Sequence, residues 1–320
     1  MRSRAAAAVL GLVVAVSAVV MPLGGCAVNP ATGRTQFILM SRASAIQTGE
    51  ELAPQFTAEY GGSISDADVV AYVRDIGERM AATTEGDNPS LPWQFTVLDS
   101  DVINAFALPG GKVFISRGLA ARMRNEAQLA GVIGHEIGHV TARHVNDRMA
   151  QSALAQGGQV LLDALLSGQG DAIREVAANV YGLGGQTTIL AWGRGQELES
   201  DALGMRYMTN VGYNPRGQRQ VMEILARATG GDGRPAEWQS THPYPETRID
   251  MIDALLAEEY PQEAQSADGF FASRFEQRML SRIGRIEASL GDPVHWCAVC
   301  ASKHSKTELA KADPPTQVTP

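Results

Sequence analysis

Between residues 66 and 82 the apolar side chains Val69, Tyr72, Val73, Ile76 and Met80 return every three or four positions, the spacing that lines one face of an α-helix. Residues 44–60 carry a second helical pattern. The period then shortens. From Trp93 to Leu98 apolar and polar residues alternate with β-branched content, and two further apolar runs, 102–108 and 112–116, flank Pro109, Gly110 and Gly111. Alternation predicts strands, and the Pro-Gly-Gly turn joins the last two as a hairpin. Asn125 with Gln128 three residues later fits a capping box, so a helix is expected to open there and run to about residue 150. Residues 151–190 mix apolar helical turns with glycines, which predicts helical segments with joints and makes 157–185 a candidate lid. Helices are expected around Glu197 and Asp201, over 218–229 and over 246–258, separated by a loop at Asn214 and Pro215 and by the proline-bearing stretch 241–245. Phe271, Phe275, Met279, Ile283, Ile286 and Leu290 mark an amphipathic helix docked on the core. The polar tail from 301 onward is expected to be disordered.

This order of elements predicts a mainly helical α+β chain with a small sheet. With 320 residues and 44% hydrophobic content it can bury a full core. A formal charge of −8, with no basic run interleaved with aromatics, excludes the electrostatic footprint of a nucleic-acid binder. The N-terminus alters the picture further. Arg2 and Arg4 precede an apolar stretch over 5–20 that is too short for a comfortable membrane span, the pattern of an export signal. Leu23, Gly24, Gly25 and Cys26 resemble the lipobox of bacterial lipoproteins, which implies cleavage before Cys26 and acylation of its thiol. Removing Arg2 and Arg4 would lower the charge from −8 to −10. Ala27, where such lipoproteins would carry an aspartate for retention at the inner membrane, implies an outer-membrane anchor facing the periplasm. The expected organisation is a signal over 1–25, a tether over 26–43, a catalytic domain over 44–292, and a CxxC segment with tail over 293–320.

The chemistry concentrates in HEIGH, residues 135–139. Histidines four apart on a helix lie on one face about 5–6 Å apart at Cβ, close enough for both rings to reach one zinc ion. Glu136 stands between His135 and His139 as a general base for a metal-activated water. Gly131, Gly134 and Gly138 sit inside the same helix, although a mid-helix glycine costs about 1 kcal/mol relative to alanine. Such a violation of local preference points to a functional site. A catalytic zinc needs a third protein ligand. His144 is five residues past His139, a step that turns it away from the ligand face. Glu197 is the better candidate, with Asp201 one turn later placed to orient a ligand histidine. Glu199 points elsewhere on that helix.

HEIGHVTARH at 135–144, ELESDALG at 197–204 and NAFALPGGKVFISRGL at 104–119 together resemble metallopeptidase family forty-eight, the HtpX-like and CAAX-prenyl-protease-like group. The resemblance covers most of residues 30–260. It implies a zincin-like fold with the HExxH helix beside a small sheet, one zinc ion per chain on His135, His139 and Glu197, and Asp201 behind them. With no further spanning stretch after the leader, it is to the soluble periplasmic lipoproteins of that group. Implied substrates are unfolded or extended envelope proteins, and an implied partner is the outer-membrane assembly machinery. THPYPETR at 241–248 resembles a histidine-proline loop of the same family. On that resemblance His242 is a fourth, inhibitory ligand and Arg248 stabilises the oxyanion of peptide hydrolysis. Asn104, Ala105 and Phe106 are expected to offer a strand edge to an extended peptide, with a buried hairpin as the alternative. Cys297 and Cys300, flanked by His295 and His304, form either a local disulfide, as export favours, or a structural zinc site. A zinc-containing binding or chaperone-like module with little proteolysis is the competing function.

Overall fold

The structure, a computed structural model, describes residues 26–155, 192–228, 238, 241–243 and 245–285. The expected export signal, the glycine-rich stretch 157–185, Ile286, Leu290, Cys297, Cys300 and the C-terminal tail lie outside the described residues.

The stretch expected to be a tether is folded. Strands β1 (Cys26–Val28) and β2 (Thr35–Phe37) pair antiparallel, and the loop side of this hairpin is pinned by two buried amides. Asn29 Nδ2 donates to the carbonyl of Thr141 at 2.9 Å and Gln36 Nε2 to that of Ala142 at 2.7 Å. Helix α1 (Arg42–Glu59) follows, capped by the Ser41 hydroxyl. Helix α2 (Ala67–Ala81) is capped by Asp66, whose side chain accepts from the amides of Asp68 and Val69. Its predicted stripe of Val69, Tyr72, Val73, Ile76 and Met80 is buried as expected.

Strands β3 (Gln94–Leu98), β4 (Ala105–Leu108) and β5 (Lys112–Ser116) form a sheet in the order β3-β5-β4. β5 is antiparallel to β4 and parallel to β3. The hairpin turns on Gly110 and Gly111 at φ +74° and +89°, which side chains rarely adopt. Both faces of the sheet are covered. Ala105, Ala107, Val113 and Ile115 belong to the main core with α2 and the later helices, whereas Phe106, Leu108 and Phe114 face a second core with Phe56 and Tyr60 of the α1 region. The period of two along each strand feeds alternate residues to the two cores.

The single helix expected from residue 125 to about 150 is two. Helix α3 (Glu126–Thr141) ends at Ala142, and α4 (His144–Ala155) starts after Arg143, which is left-handed at φ 57°. The sequence has no glycine or proline there to signal a stop. The break comes from tertiary contact, because the Asn29 and Gln36 amides take the last carbonyls of α3. At the other end the Asn125 side chain accepts from the Gln128 amide, but Gln128 Oε1 accepts from the Arg124 amide, not that of Asn125.

Helices α5 (Arg194–Asn210), α6 (Arg216–Arg227) and α7 (Pro245–Glu258) complete the main body. α5 lies on α3 backbone to backbone. A Cβ on Gly204 would stand 2.7 Å from the His135 amide, one on Gly134 2.9 Å from the Gly204 carbonyl, and one on Gly138 2.9 Å from that of Ser200. These glycines are what the close approach requires.

The last amphipathic segment differs from expectation. It is helical from Ala272, takes a π turn over Glu276–Leu280 and stops at Ile283 before Gly284 at φ +80°. The wider turn brings Leu280 into the buried set beside Phe275 and Met279, while Phe271, left-handed at φ 49° just before the helix, is 40% exposed. Among the described residues no helix is long and apolar enough to cross a membrane.

Candidate metal centre

His135 and His139 stand one turn apart on α3, with their Nε2 atoms 3.0 Å from each other. Because α5 lies against the glycine face of α3, Glu197 arrives beside them. Its Oε1 is 3.3 Å from His139 Nε2, and its Oε2 is 3.7 Å from His135 Nε2. His242 enters beside Trp238, to whose carbonyl its amide donates at 2.7 Å. Its Nδ1 lies 3.2 Å from His135 Nε2 and 3.0 Å from Glu197 Oε1. All four side chains are buried, and one ligand atom from each lies within 4.8 Å of the others.

This donor set fits a metal ion. Ligand atoms bound to a tetrahedral zinc at about 2.0–2.1 Å stand roughly 3.4 Å apart, close to the spacing seen here. Three imidazole nitrogens and a carboxylate converging in a buried site are otherwise an expensive arrangement. Glu136 Oε1 and His242 Nε2 face each other at 3.7 Å, and both are buried with no hydrogen-bond partner among the described residues.

Behind the ligands lies a second set of buried polar groups. His135 Nδ1 donates to Asp201 Oδ1 at 2.9 Å. Asp201 in turn accepts from Arg248 Nε and Nη2, both at 2.7 Å, and from Gln218 Nε2 at 2.7 Å. Arg248 Nη1 is also 2.7 Å from Glu197 Oε2, an ion pair whose angle falls short of a hydrogen bond. Aromatic rings close the site: Trp238 stacks on His242 at 3.9 Å and Trp192 on His139 at 4.5 Å.

Burial pushes the Glu136 carboxyl well above the ordinary range, and the neighbouring charge of Glu197 adds to the shift. Burial acts the same way on Glu197 and Asp201 but is overcome. The adjoining His242 ring and the Arg248 guanidinium hold Glu197 well below its usual value, and Arg248 together with the His135 ring holds Asp201 down. Burial lowers His139 well below its normal value and His242 to about 4. The surroundings therefore favour the neutral rings of His139 and His242, the ionised form of Glu197 and the protonated form of Glu136.

The structure thus brings His135, Glu136, His139, Glu197, Asp201, His242 and Arg248 together. It treats the expected edge residues less uniformly. β4 is an edge of its sheet among the described residues, but the Asn104 carbonyl accepts from the Ser116 amide and its amide donates to Ser116 Oγ. Asn104, and by alternation Phe106, turn their main chain toward β5, while Ala105 turns outward. The Ile103 carbonyl, just ahead of β4, accepts from the Trp238 amide at 3.3 Å. A cavity of about 150 Å³ opens at the other end of β4, bounded by Leu108, His139, Val140 and Arg143. Cys26 is exposed at the start of β1.

His144 does not point away from the ligands. The break at Arg143 swings it back so that its Nδ1 lies 2.9 Å from His139 Nδ1. Glu199, expected to point elsewhere, meets its other nitrogen at 2.9 Å. Sequence reasoning also missed Trp192, Trp238 and Gln218. Only an aromatic and a glutamine near ligand-bearing segments marked them, a signal too common to single out any residue.

Residues 68–256 match the description of peptidase family M48. The chain is 27% identical over 255 residues to the beta-barrel assembly-enhancing protease of Escherichia coli (strain K12), a match covering 77% of this chain and 52% of that protein. It is 31% identical over 237 residues to the protein of that name from Yersinia pestis, covering 71% and 46%. With the mitochondrial metalloendopeptidase OMA1 of Schizosaccharomyces pombe the identity is 28% over 231 residues, covering 72% and 66%. The chain spans about half the length of the two bacterial relatives. The family match runs from α2 nearly to the end of α7 and takes in every residue of the buried cluster, and the chain belongs to peptidase family M48.

Proposed function

We propose that this protein is a zinc endopeptidase that cleaves unfolded or misassembled polypeptides of the cell envelope, held on the outer membrane by a lipid on Cys26 and facing the periplasm. The observation that carries the catalytic part is the convergence of His135, His139 and Glu197, with Glu136 buried beside them. The name of the bacterial relatives, beta-barrel assembly-enhancing protease, supports envelope substrates and a link to outer-membrane assembly. The lipobox-like run before Cys26 supports the anchor.

His135, His139 and Glu197 would hold the ion. Zinc, when bound, supplies a Lewis acid that polarises the scissile carbonyl and acidifies water. Glu136, whose burial makes it a stronger base than a surface glutamate, takes the proton of the attacking water and returns it to the leaving amine. Asp201 fixes His135 through its Nδ1 proton. Arg248 pairs with both Asp201 and Glu197, so we assign it to holding these carboxylates; acting on an oxyanion would require it to leave them. An extended substrate would bond the outward main chain of β4 around Ala105, and the cavity by Leu108 and Val140 would take one of its side chains.

His242 gives this centre a resting state. With Nδ1 among the ligand atoms and Nε2 facing Glu136, it occupies the position where substrate and water would meet the base. The same contact favours the second reading, a zinc-containing binding or chaperone-like module in which cleavage is rare. Glu136→Gln separates the two. Wild type should degrade unfolded casein while the variant binds zinc equally and loses activity by several orders of magnitude. Zinc bound by both proteins with cleavage by neither would leave the binding module.

A further inference from the structure

The two ligand histidines are supported from behind in different ways. His135 leans on Asp201 and Arg248 within the site already described. His139 leans outward, on groups that neither the HExxH motif nor the downstream acidic pair includes. Its Nε2 faces the ligand cluster, so its Nδ1 carries the proton and donates to His144 Nδ1 at 2.9 Å. That leaves the His144 proton on Nε2, which donates to Glu199 Oε2 at 2.9 Å. Ser200 Oγ lies 3.3 Å from His144 Nδ1 and can add a second donor there. Glu199 is closed by Arg34, whose Nε and Nη2 reach its two oxygens at 2.8 and 2.7 Å, the two-pronged geometry that fixes a carboxylate most firmly.

Every donor in this series points the same way, from His139 through His144 to the carboxylate, and the carboxylate is neutralised by arginine. His144 is fully buried and Glu199 about three-quarters buried, while Arg34 is half exposed. Arg34 belongs to the turn of the N-terminal hairpin, whose other buried contacts, through Asn29 and Gln36, hold the end of α3 just past His139. Gln36 Nε2 and Arg34 Nη2 also converge on Asp147 of α4, at 3.0 and 3.4 Å. The left-handed residue Arg143 is the joint that lets α4 place His144 here.

We propose that His144, Glu199 and Arg34 are positioning residues for the metal ligand His139, and that the hairpin over residues 26–37 is thereby a working part of the metal centre. Hydrogen bonding to the distal nitrogen of a ligand histidine fixes its tautomer and ring plane and raises its basicity. Here that function passes through a second imidazole to a carboxylate on the opposite ligand helix, and then to a segment outside the family match. The inference rests on the zinc-centre reading above.

The test uses the soluble chain from Cys26 onward with zinc and, separately, cobalt as probes. Glu199→Gln and His144→Asn are expected to weaken zinc binding by about ten- to a hundredfold and to shift the visible spectrum of the cobalt form. Arg34→Ala should move both readouts in the same direction by less, with Arg34→Lys restoring part of the loss. Arg117→Ala, which breaks a comparable ion pair with Asp99 and Asp101, should change neither. Arg34 is on the surface, so its variant keeps the test open if the buried ones fail to fold. Wild-type zinc affinity and an unchanged cobalt spectrum in Arg34→Ala and Glu199→Gln would overturn the positioning role. Failure of the wild type itself to bind either ion, with His135→Ala as the control, would instead remove the zinc centre and this inference with it.

Discussion

His242 stands apart among the cluster residues because it lies on neither of the helices that carry the other ligands. Its ring is clamped by Trp238 at 3.9 Å and its neighbour Thr241 is tied by its carbonyl to the Trp192 amide at 2.8 Å. On the proposed resting state, this imidazole restrains Glu136 for as long as its contact with the cluster holds. His242→Ala is therefore expected to raise basal casein cleavage by about tenfold, which corresponds to roughly 1.4 kcal/mol of closed-state preference. Unchanged turnover together with unchanged zinc affinity in that variant would show that the contact does not restrain the enzyme. The motif residues were legible at this scale: helical spacing in HEIGH and in the Glu197–Asp201 pair is a property of the chain. His144 was not, because its direction depends on the backbone reversal at Arg143.

At the level of elements, the centre depends on α3 and α5 meeting without side chains between them. Gly134 and Gly138 on one helix, and Gly204 on the other, remove the atoms that would hold the helices apart. Gly204→Ala puts a methyl group within van der Waals overlap of the His135 amide. Overpacking of this kind costs about 1–3 kcal/mol, and since the clash moves Glu197 relative to His135, zinc content should fall along with stability. Urea unfolding and metal analysis on the purified variant check both; a variant with full zinc and unaltered midpoint would show that the helices have room to adjust. Mid-helix glycines were visible in the sequence as a breach of helix preference. Their partner was not, because nothing in one chain segment tells which distant helix it will touch.

For the molecule as a whole, the described helices and sheet converge on a buried group of charges that includes Glu136, Glu197, Asp201 and Arg248. Ionised Glu197 and Asp201 outnumber the single guanidinium of Arg248 in this buried site, so a bound cation should contribute to the stability of the fold. Removing metal with a chelator is expected to lower the thermal midpoint, and adding zinc back to restore it. Free zinc at a hundred times its dissociation constant would supply about 2.7 kcal/mol. Identical melting curves with and without chelator, on protein shown to have carried zinc, would mean that Arg248 alone compensates the carboxylates.

The sequence by itself determined most helices, the strands of the main sheet and which residue types carry the chemistry, because periodicity, capping and ligand spacing act over a few neighbouring residues; the N-terminal hairpin escaped it. The stripe of α2, the alternating strands, the Pro-Gly-Gly turn and the HEIGH spacing are all of this kind. Only the tertiary structure decided the end of α3, the register shift of the π turn, the approach of His242 and the contacts of His144 and Glu199. The end of α3, the approach of His242 and the pairing of His144 with Glu199 are set by groups more than forty residues away along the chain, as by Asn29 and Gln36 at Thr141 and Ala142.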